Sequence, residues 1–241
     1  MPDVSPEAPI GTIVVLEEAT AVRAALASRT ADALREALAA RGEATLCLTG
    51  GSTPGPAYEA LARADLDWTR VHLFWGDERA VPPEHAESNF RLAREALLDR
   101  LPDAARPAVH RIEGERGAAE AAARYDALLG AHFGGPPAFD VLHLGMGDDG
   151  HTASLFPGDA ALDQATRWCV PAEAPEGTAI RARVTLTLPA LAHARLTLFA
   201  LTGARKREAF ARVRRGDDSL PATRVARQAL PVWLVERALA A

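Results

Sequence analysis

The chain has 241 residues, 48% of them apolar and 24% charged, the balance of a soluble globular protein long enough to bury a sizeable core. Its net charge of −5, with basic residues scattered rather than clustered, excludes a protein that works by neutralising nucleic-acid phosphates. No apolar run approaches the roughly 18 residues of a membrane span, and the N-terminal MPDVSPEAPIG is acidic, proline-rich and without a basic n-region, so a cytoplasmic protein with no membrane partner is expected.

In chain order, TIVVLE (12–17) reads as a strand, followed by a long Ala/Leu/Arg helix ending near residue 41. ATLCLT (44–49) is a second strand, and a glycine-rich loop then leads into a helix through PAYEALARA (56–64). VHLFWG (71–76) is a third strand, ESNFRLAREALLDRL (87–101) a helix with Glu87 or Ser88 near its start, and GAAEAAARYDALLGAHF (117–133) a helix closed by Gly134 and Gly135. FDVLHLG (139–145), RWCVP (167–171), ARVTLTLP (182–189) and RLTLFALTG (195–203) read as strands; a helix over about 204–214 and a last strand, PVWLVE (231–236), complete the series. Alternating strands and helices, with continuously apolar strands, predict one α/β domain over residues 1–241: a Rossmann-like, mostly parallel sheet with helices on both faces. Ligands of such folds bind beyond the carboxyl ends of the strands. Cys47 and Cys169 stand in apolar runs (TLCLT, RWCVP) and read as small buried residues, which suits a reducing compartment. Lys206 is the only lysine beside many arginines, a compact ammonium where a thin stem is useful.

The stretch FDVLHLGMGDDGHTASLFP (139–157) carries Gly145, Gly147 and Gly150 in a Gly-x-Gly-x-x-Gly pattern after a strand, the outline of a dinucleotide loop. Asp148 and Asp149 fill the intervening positions, however, and each carboxylate within about 4 Å of a phosphate would cost roughly 1 kcal/mol even in water. Chemistry is the better reading. Asp149 and His151 stand two residues apart on a tight turn, and a carboxylate that holds an imidazole's tautomer makes it a general base able to activate water. The uncharged anion cradle is elsewhere: LTGGSTPGPAYEAL (48–61) has a strand ending in Gly50 and Gly51, then Ser52 or Thr53 as helix cap and Pro54 in the first turn. WGDERAVPPEHAESNF (75–90) sets Asp77, Glu78 and Arg79 at a strand end, where they face the ligand crevice. Lys206, in LTGARKREAF, opens a helix after another strand and is placed to reach a phosphate.

TGGSTP, WGDERAVP with Ser88 and Asn89 downstream, LGMGDDGHTASLFPG, RVTLTLPAL and TGARK, in that order over nearly the whole chain, resemble the 6-phosphogluconolactonase family. That family is similar to the glucosamine-6-phosphate deaminases, with which it shares a Rossmann-like sheet and the Asp-Gly-His loop. Deaminases continue to an Asn-Glu-Pro segment, whereas here Ala153-Ser154-Leu155-Phe156-Pro157 follows, the lactonase ending. The resemblance implies hydrolysis of a small phosphosugar lactone, 6-phosphoglucono-δ-lactone, to 6-phosphogluconate in the oxidative pentose phosphate pathway, with no metal and no organic cofactor. It also implies roles. His151 takes a proton from water, Asp149 orients it, Arg79 steadies the carbonyl oxygen, and Asp77 holds water or a sugar hydroxyl. The phosphate is expected among Gly50, Gly51, Ser52 and Thr53, with Lys206 and Arg183 as countercharge, the division between Arg79 and Arg183 being open. A monomer or small homo-oligomer is expected. Three rivals stand beside this reading: a 6-phosphosugar deaminase or isomerase, a catalytically silent sugar-phosphate sensor, and a metal hydrolase using Asp77, Asp148, Asp149 and His151.

Overall fold

The fold is described from a computed structural model that covers residues 10–240; all but the last two residues of MPDVSPEAPIG lie outside the described residues. Its elements begin with β1 (Thr12–Leu16), α1 (Ala19–Arg41), β2 (Ala44–Leu48), α2 (Pro54–Leu61), β3 (Val71–Trp75) and β4 (Asp77–Arg79). The middle of the chain forms α3 (Asn89–Ala96), β5 (Ala108–Val109), α4 (Ala118–Phe133), β6 (Val141–Leu144), β7 (Cys169–Glu173) and β8 (Ala182–Leu186). α5 (Leu188–Leu191), β9 (Leu196–Leu201), α6 (Arg207–Arg214), α7 (Pro221–Ala229), β10 (Val232–Glu236) and α8 (Arg237–Ala240) follow.

Seven strands make one parallel sheet in the order β1-β10-β9-β6-β2-β3-β5. Successive strand side chains point to opposite faces, so the complete burial of β2 and β6 means that both faces are covered, as continuously apolar strands require. α1 supplies part of the cover through a stripe of Val22, Leu26, Thr30, Leu34 and Ala37 at helical spacing. It stops at Gly42, whose φ of 83° is left-handed and whose N–H donates to the Leu38 carbonyl. Cys47 and Cys169 are buried free thiols. No helix among the described residues is long and apolar enough to cross a membrane.

The parallel sheet does not contain every strand read from the sequence. RWCVP and ARVTLTLP give β7 and β8, which join β4 in a separate antiparallel sheet of order β4-β8-β7. Asp77, Glu78 and Arg79 therefore do not simply trail from a strand end: Gly76 turns the chain out of β3, and the charged triplet pairs with Val184 and its neighbours on β8. The pairing fixes their backbone, and strand alternation sends Asp77 and Arg79 to the face that lines the cleft and Glu78 to the opposite one.

The site follows from the strand order. β2 has β3 on one side and β6 on the other, so the connections leaving β2 and β6 diverge and open a crevice at their carboxyl ends. Both glycine-rich loops noted in the sequence lie there.

Candidate active site

A cleft of about 210 Å³ occupies this crevice, lined by residues 49–54 after β2, 143–147, 151 and 153 around the end of β6, and Asp77, Arg79, Asn89, Ala200 and Lys206. Of the ten residues expected from the sequence, Asp77, Arg79, Gly50, Gly51, Ser52, Thr53, His151 and Lys206 line it directly. Asp149 stands behind His151. Arg183 does not line the cleft: it is buried on β8 in register with Arg79, donates Nε–H to the Ile180 carbonyl at 3.0 Å, and is held below the usual arginine range by burial first and by Arg79 second.

The loop after β6 is built to hold an imidazole. Gly150, at a φ of 85°, turns the chain back so that the Gly147 N–H donates to the His151 carbonyl at 2.9 Å. A Cβ on Gly147 would overlap the His151 ring and come within 2.7 Å of Asp149 Oδ1, so glycine is needed there for space. His151 Nδ1 is 2.6 Å from Asp149 Oδ1, and Phe156 lies against the ring with centroids 4.7 Å apart. Burial pushes the Asp149 carboxyl up, but the contacts with His151 outweigh it and hold it below its ordinary value. A carboxylate can only accept, so Nδ1 carries the proton and Nε2 keeps a free lone pair. Asp148 turns the other way, 3.5 Å from Arg205.

The loop after β2 meets the expectation of an uncharged cradle, with one correction. Gly51 has a φ of 97°, Ser52 is exposed at the mouth, and α2 begins at Pro54. Neither hydroxyl caps the helix: Thr53 is itself helical in backbone and its Oγ1 pairs with Thr202 Oγ1 at 2.9 Å, tying this loop to the end of β9. Pro54 and Pro56 carry no N–H, so α2 itself offers only the Gly55 N–H among its first three positions, with no side-chain cap on it, and the loop residues before the helix must supply the other donors to an anion. Lys206 reaches the cleft from the turn before α6, where burial lowers its proton affinity and Asp148 partly restores it.

Four more residues complete the site: Ser88, expected near a helix start; Glu78, expected to face the crevice but buried behind its lining; and Asn89 and Ser154, given no individual role by the sequence. Ser88 caps α3 by accepting the Arg91 N–H at 3.1 Å. Glu78, buried beneath it, accepts the N–H groups of Arg79, Asn89 and Phe90 at 2.7–2.8 Å and the Ser88 hydroxyl at 3.0 Å. Burial raises the proton affinity of Glu78, and those backbone donors oppose the rise. Asn89 lines the cleft with its amide packed on Gly50, where any Cβ would overlap it, and donates to the Asp77 carbonyl and carboxylate at 3.0 and 3.1 Å. Ser154 donates to the other Asp77 oxygen at 2.6 Å and takes its own N–H to Thr185 Oγ1. Asp77 is thus clamped between α3 and the segment after His151, with Ala153 at a φ of 48° making the turn. Arg79 is anchored through one terminal nitrogen to the Glu87 carbonyl and carboxylate, while its Nε has no partner. The pairing of Ser88 and Asn89 was visible as a motif; the bonds that give it meaning cross between distant segments.

Residues 17–233 match the family model described as glucosamine-6-phosphate isomerases/6-phosphogluconolactonase. A 6-phosphogluconolactonase of Nostoc sp. (strain PCC 7120) is 38% identical over 238 residues, covering 95% of this chain and 97% of that protein. The crystal structure of a 6-phosphogluconolactonase from Shewanella baltica superposes with a TM-score of 0.82 at 31% identity, covering 94% and 97% of the two chains. A monomeric glucosamine-6-phosphate deaminase shares the fold, with a TM-score of 0.80 at 18% identity.

Proposed function

From its place in the glucosamine-6-phosphate isomerase/6-phosphogluconolactonase family, to which the chain belongs, we propose that it hydrolyses 6-phospho-D-glucono-1,5-lactone to 6-phospho-D-gluconate in the oxidative pentose phosphate pathway. One observation carries the reading: an Asp149-oriented imidazole with a free Nε2 faces the same cleft as an uncapped helix start and the chain's only lysine.

In this scheme the phosphate sits on the N–H groups and hydroxyls of Gly51, Ser52 and Thr53, with Gly50 admitting the close approach and the Lys206 ammonium as countercharge. The lactone carbonyl lies toward His151. Nε2 takes a proton from water as its oxygen bonds to the carbonyl carbon, and the Arg79 guanidinium, anchored on one edge only, donates to the oxygen that gains charge. Collapse of the tetrahedral intermediate breaks the bond to the ring oxygen, which leaves with the proton returned by His151; the product carries the new carboxylic acid. Asp77, fixed by Asn89 and Ser154, offers a carboxylate edge to a sugar hydroxyl. Arg183, buried beside Arg79 on the neighbouring strand, acts through its charge on that guanidinium rather than by touching substrate. Ser154 occupies the lactonase-type segment and is committed to Asp77, which leaves no acidic group in the place a deaminase would need one.

The test is pH-stat hydrolysis of freshly made 6-phosphogluconolactone, corrected for spontaneous opening, with wild type beside His151→Ala and a chelator present. Chelator-resistant acceleration that disappears in the variant is the expected result. No acceleration by folded wild type, or release of ammonia from glucosamine 6-phosphate instead, would overturn the proposal.

A further inference from the structure

A second group of reactive side chains lies at the opposite end of the strands from the cleft. His72 is second in β3, His110 directly follows β5, and His132 stands in the last turn of α4. His72 and Phe74 project from the same side of β3, and the His110 N–H donates to the Leu73 carbonyl at 2.9 Å, which brings His110 onto that side as well. The His72 and His110 rings lie within 5° of parallel, with Nδ1 of the first 3.0 Å from Nε2 of the second. His132 leans across both at 55° and 56°. One nitrogen from each of the three rings lies within 4.8 Å of the other two.

We propose that His72, His110 and His132 form a binding site for a divalent transition metal of borderline softness, with zinc as the best fit, that clamps the end of α4 to the edge of the sheet. Imidazole nitrogens sit about 2.0–2.1 Å from zinc, so a tetrahedral site spaces them about 3.4 Å apart, and closing this cluster needs a movement of only about 1 Å. Three neutral imidazoles suit zinc, copper, nickel and cobalt and do not suit magnesium or calcium. A neutral imidazole offers one ring lone pair, the form in which histidine ligates a metal. Whichever of His72 and His110 now donates to the other needs only to move its proton to its second ring nitrogen before both can ligate. Phe74, with ring centroids 4.6 Å from His110 and 5.0 Å from His132, packs against the cluster and holds the rings together. His72 is near the amino end of β3 and none of the three histidines lines the cleft, so the ion would brace the fold and take no part there.

Untagged protein stripped of metal is dialysed against Zn²⁺ and, separately, Co²⁺, whose visible spectrum reports coordination geometry. One ion per chain is expected, with a tetrahedral-type cobalt spectrum and a rise in Tm of about 5–10 °C at a hundredfold excess of Zn²⁺ over Kd. His132→Gln, on the outer turn of a helix, and His110→Gln should each weaken binding at least tenfold and remove the Tm rise, while circular dichroism of the metal-free variants confirms that they fold. Absence of a stoichiometric ion in wild type, or retention of it in both variants, would overturn the site.

Discussion

Asp149 holds His151 twice: the same Oδ1 stands 2.6 Å from the imidazole Nδ1 and accepts the His151 backbone N–H at 3.1 Å. The turn that makes the carboxylate a neighbour in sequence thus also fixes its angle to the ring. Asp149→Asn replaces an obligatory acceptor with an amide that can present a donor to Nδ1, shifting the ring proton toward Nε2 and removing the base. We expect kcat for the lactone to fall by about 10²–10⁴-fold, with KM little changed. A variant whose loss lies wholly in KM would instead make Asp149 a binding residue.

Gly147 is a steric test of the same pair. A Cβ there collides with the ring and with Asp149 Oδ1, so Gly147→Ala must rotate the imidazole or open the turn. Activity should drop by at least tenfold, while the cost in stability stays at about 1–3 kcal/mol, the range for overpacking. The urea midpoint and kcat measured on one preparation separate the two effects. Equal activity would mean that the ring position is not critical.

Lys206 carries the phosphate assignment. Loss of a charge-assisted hydrogen bond is worth about 1.5–3 kcal/mol, so Lys206→Ala should reduce kcat/KM for the phosphorylated lactone by about 10- to 100-fold. Unphosphorylated gluconolactone should show almost no change. The same loss on both substrates would dispose of the phosphate role.

Glu78 supports the cleft from beneath. Both of its oxygens already accept two donors each, so in Glu78→Gln the amide nitrogen faces donors whichever way it turns. We expect a loss of about 2–4 kcal/mol in unfolding free energy, the cost of leaving buried partners of a carboxylate unpaired. Because Glu78 seats Asn89 against Gly50, activity should fall too. Ser88→Ala, which removes only one of the four donors, should cost less.

The parallel sheet was legible because its strands are short apolar runs between helical repeats, a pattern that burial on both faces imposes. β4 was not, since Asp77-Glu78-Arg79 has no apolar character and is a strand only through its pairing with β8. α7 was missed although PATRVARQA sets Ala222, Val225 and Ala226 on one face against Arg224 and Arg227: the segment is only nine residues long and its buried side chains are small. At the cleft, Asp149 and His151 were readable because they lie two residues apart on a glycine turn. The clamp on Asp77 was not, because Ser154 is 77 residues away and Asn89 is 12, and nothing local marks either as its partner. Arg183 was given a part in the site by the family resemblance; its strand register pairs it with Arg79, and it is buried beside that residue rather than lining the cleft.

His143 gives the fold a pH dependence with a definite sign. It is buried in the floor of the cleft, stacked on Tyr58, with Nε2 2.7 Å from Thr30 Oγ1. The Thr30 hydroxyl donates its proton to the Leu26 carbonyl at 2.7 Å, so it can only accept from His143; Nε2 is protonated, and Nδ1 is left buried without a partner. Burial pushes the imidazole down to about 3 from its ordinary 6.5. Between those values the unfolded chain binds a proton at this position and the folded chain does not. The stabilisation is therefore complete above pH 6.5 and is lost as the pH falls toward 3, at up to about 1.4 kcal/mol per pH unit. His143→Leu leaves the Thr30 to Leu26 bond in place and removes the titrating ring. Comparing urea unfolding of the two proteins at pH 6 and pH 4, wild type should lose about 2–3 kcal/mol more than the variant; His110, also held low, contributes to both and cancels. Equal losses would mean that His143 is protonated in the folded protein, and Nδ1 would then need an acceptor that the buried floor does not supply.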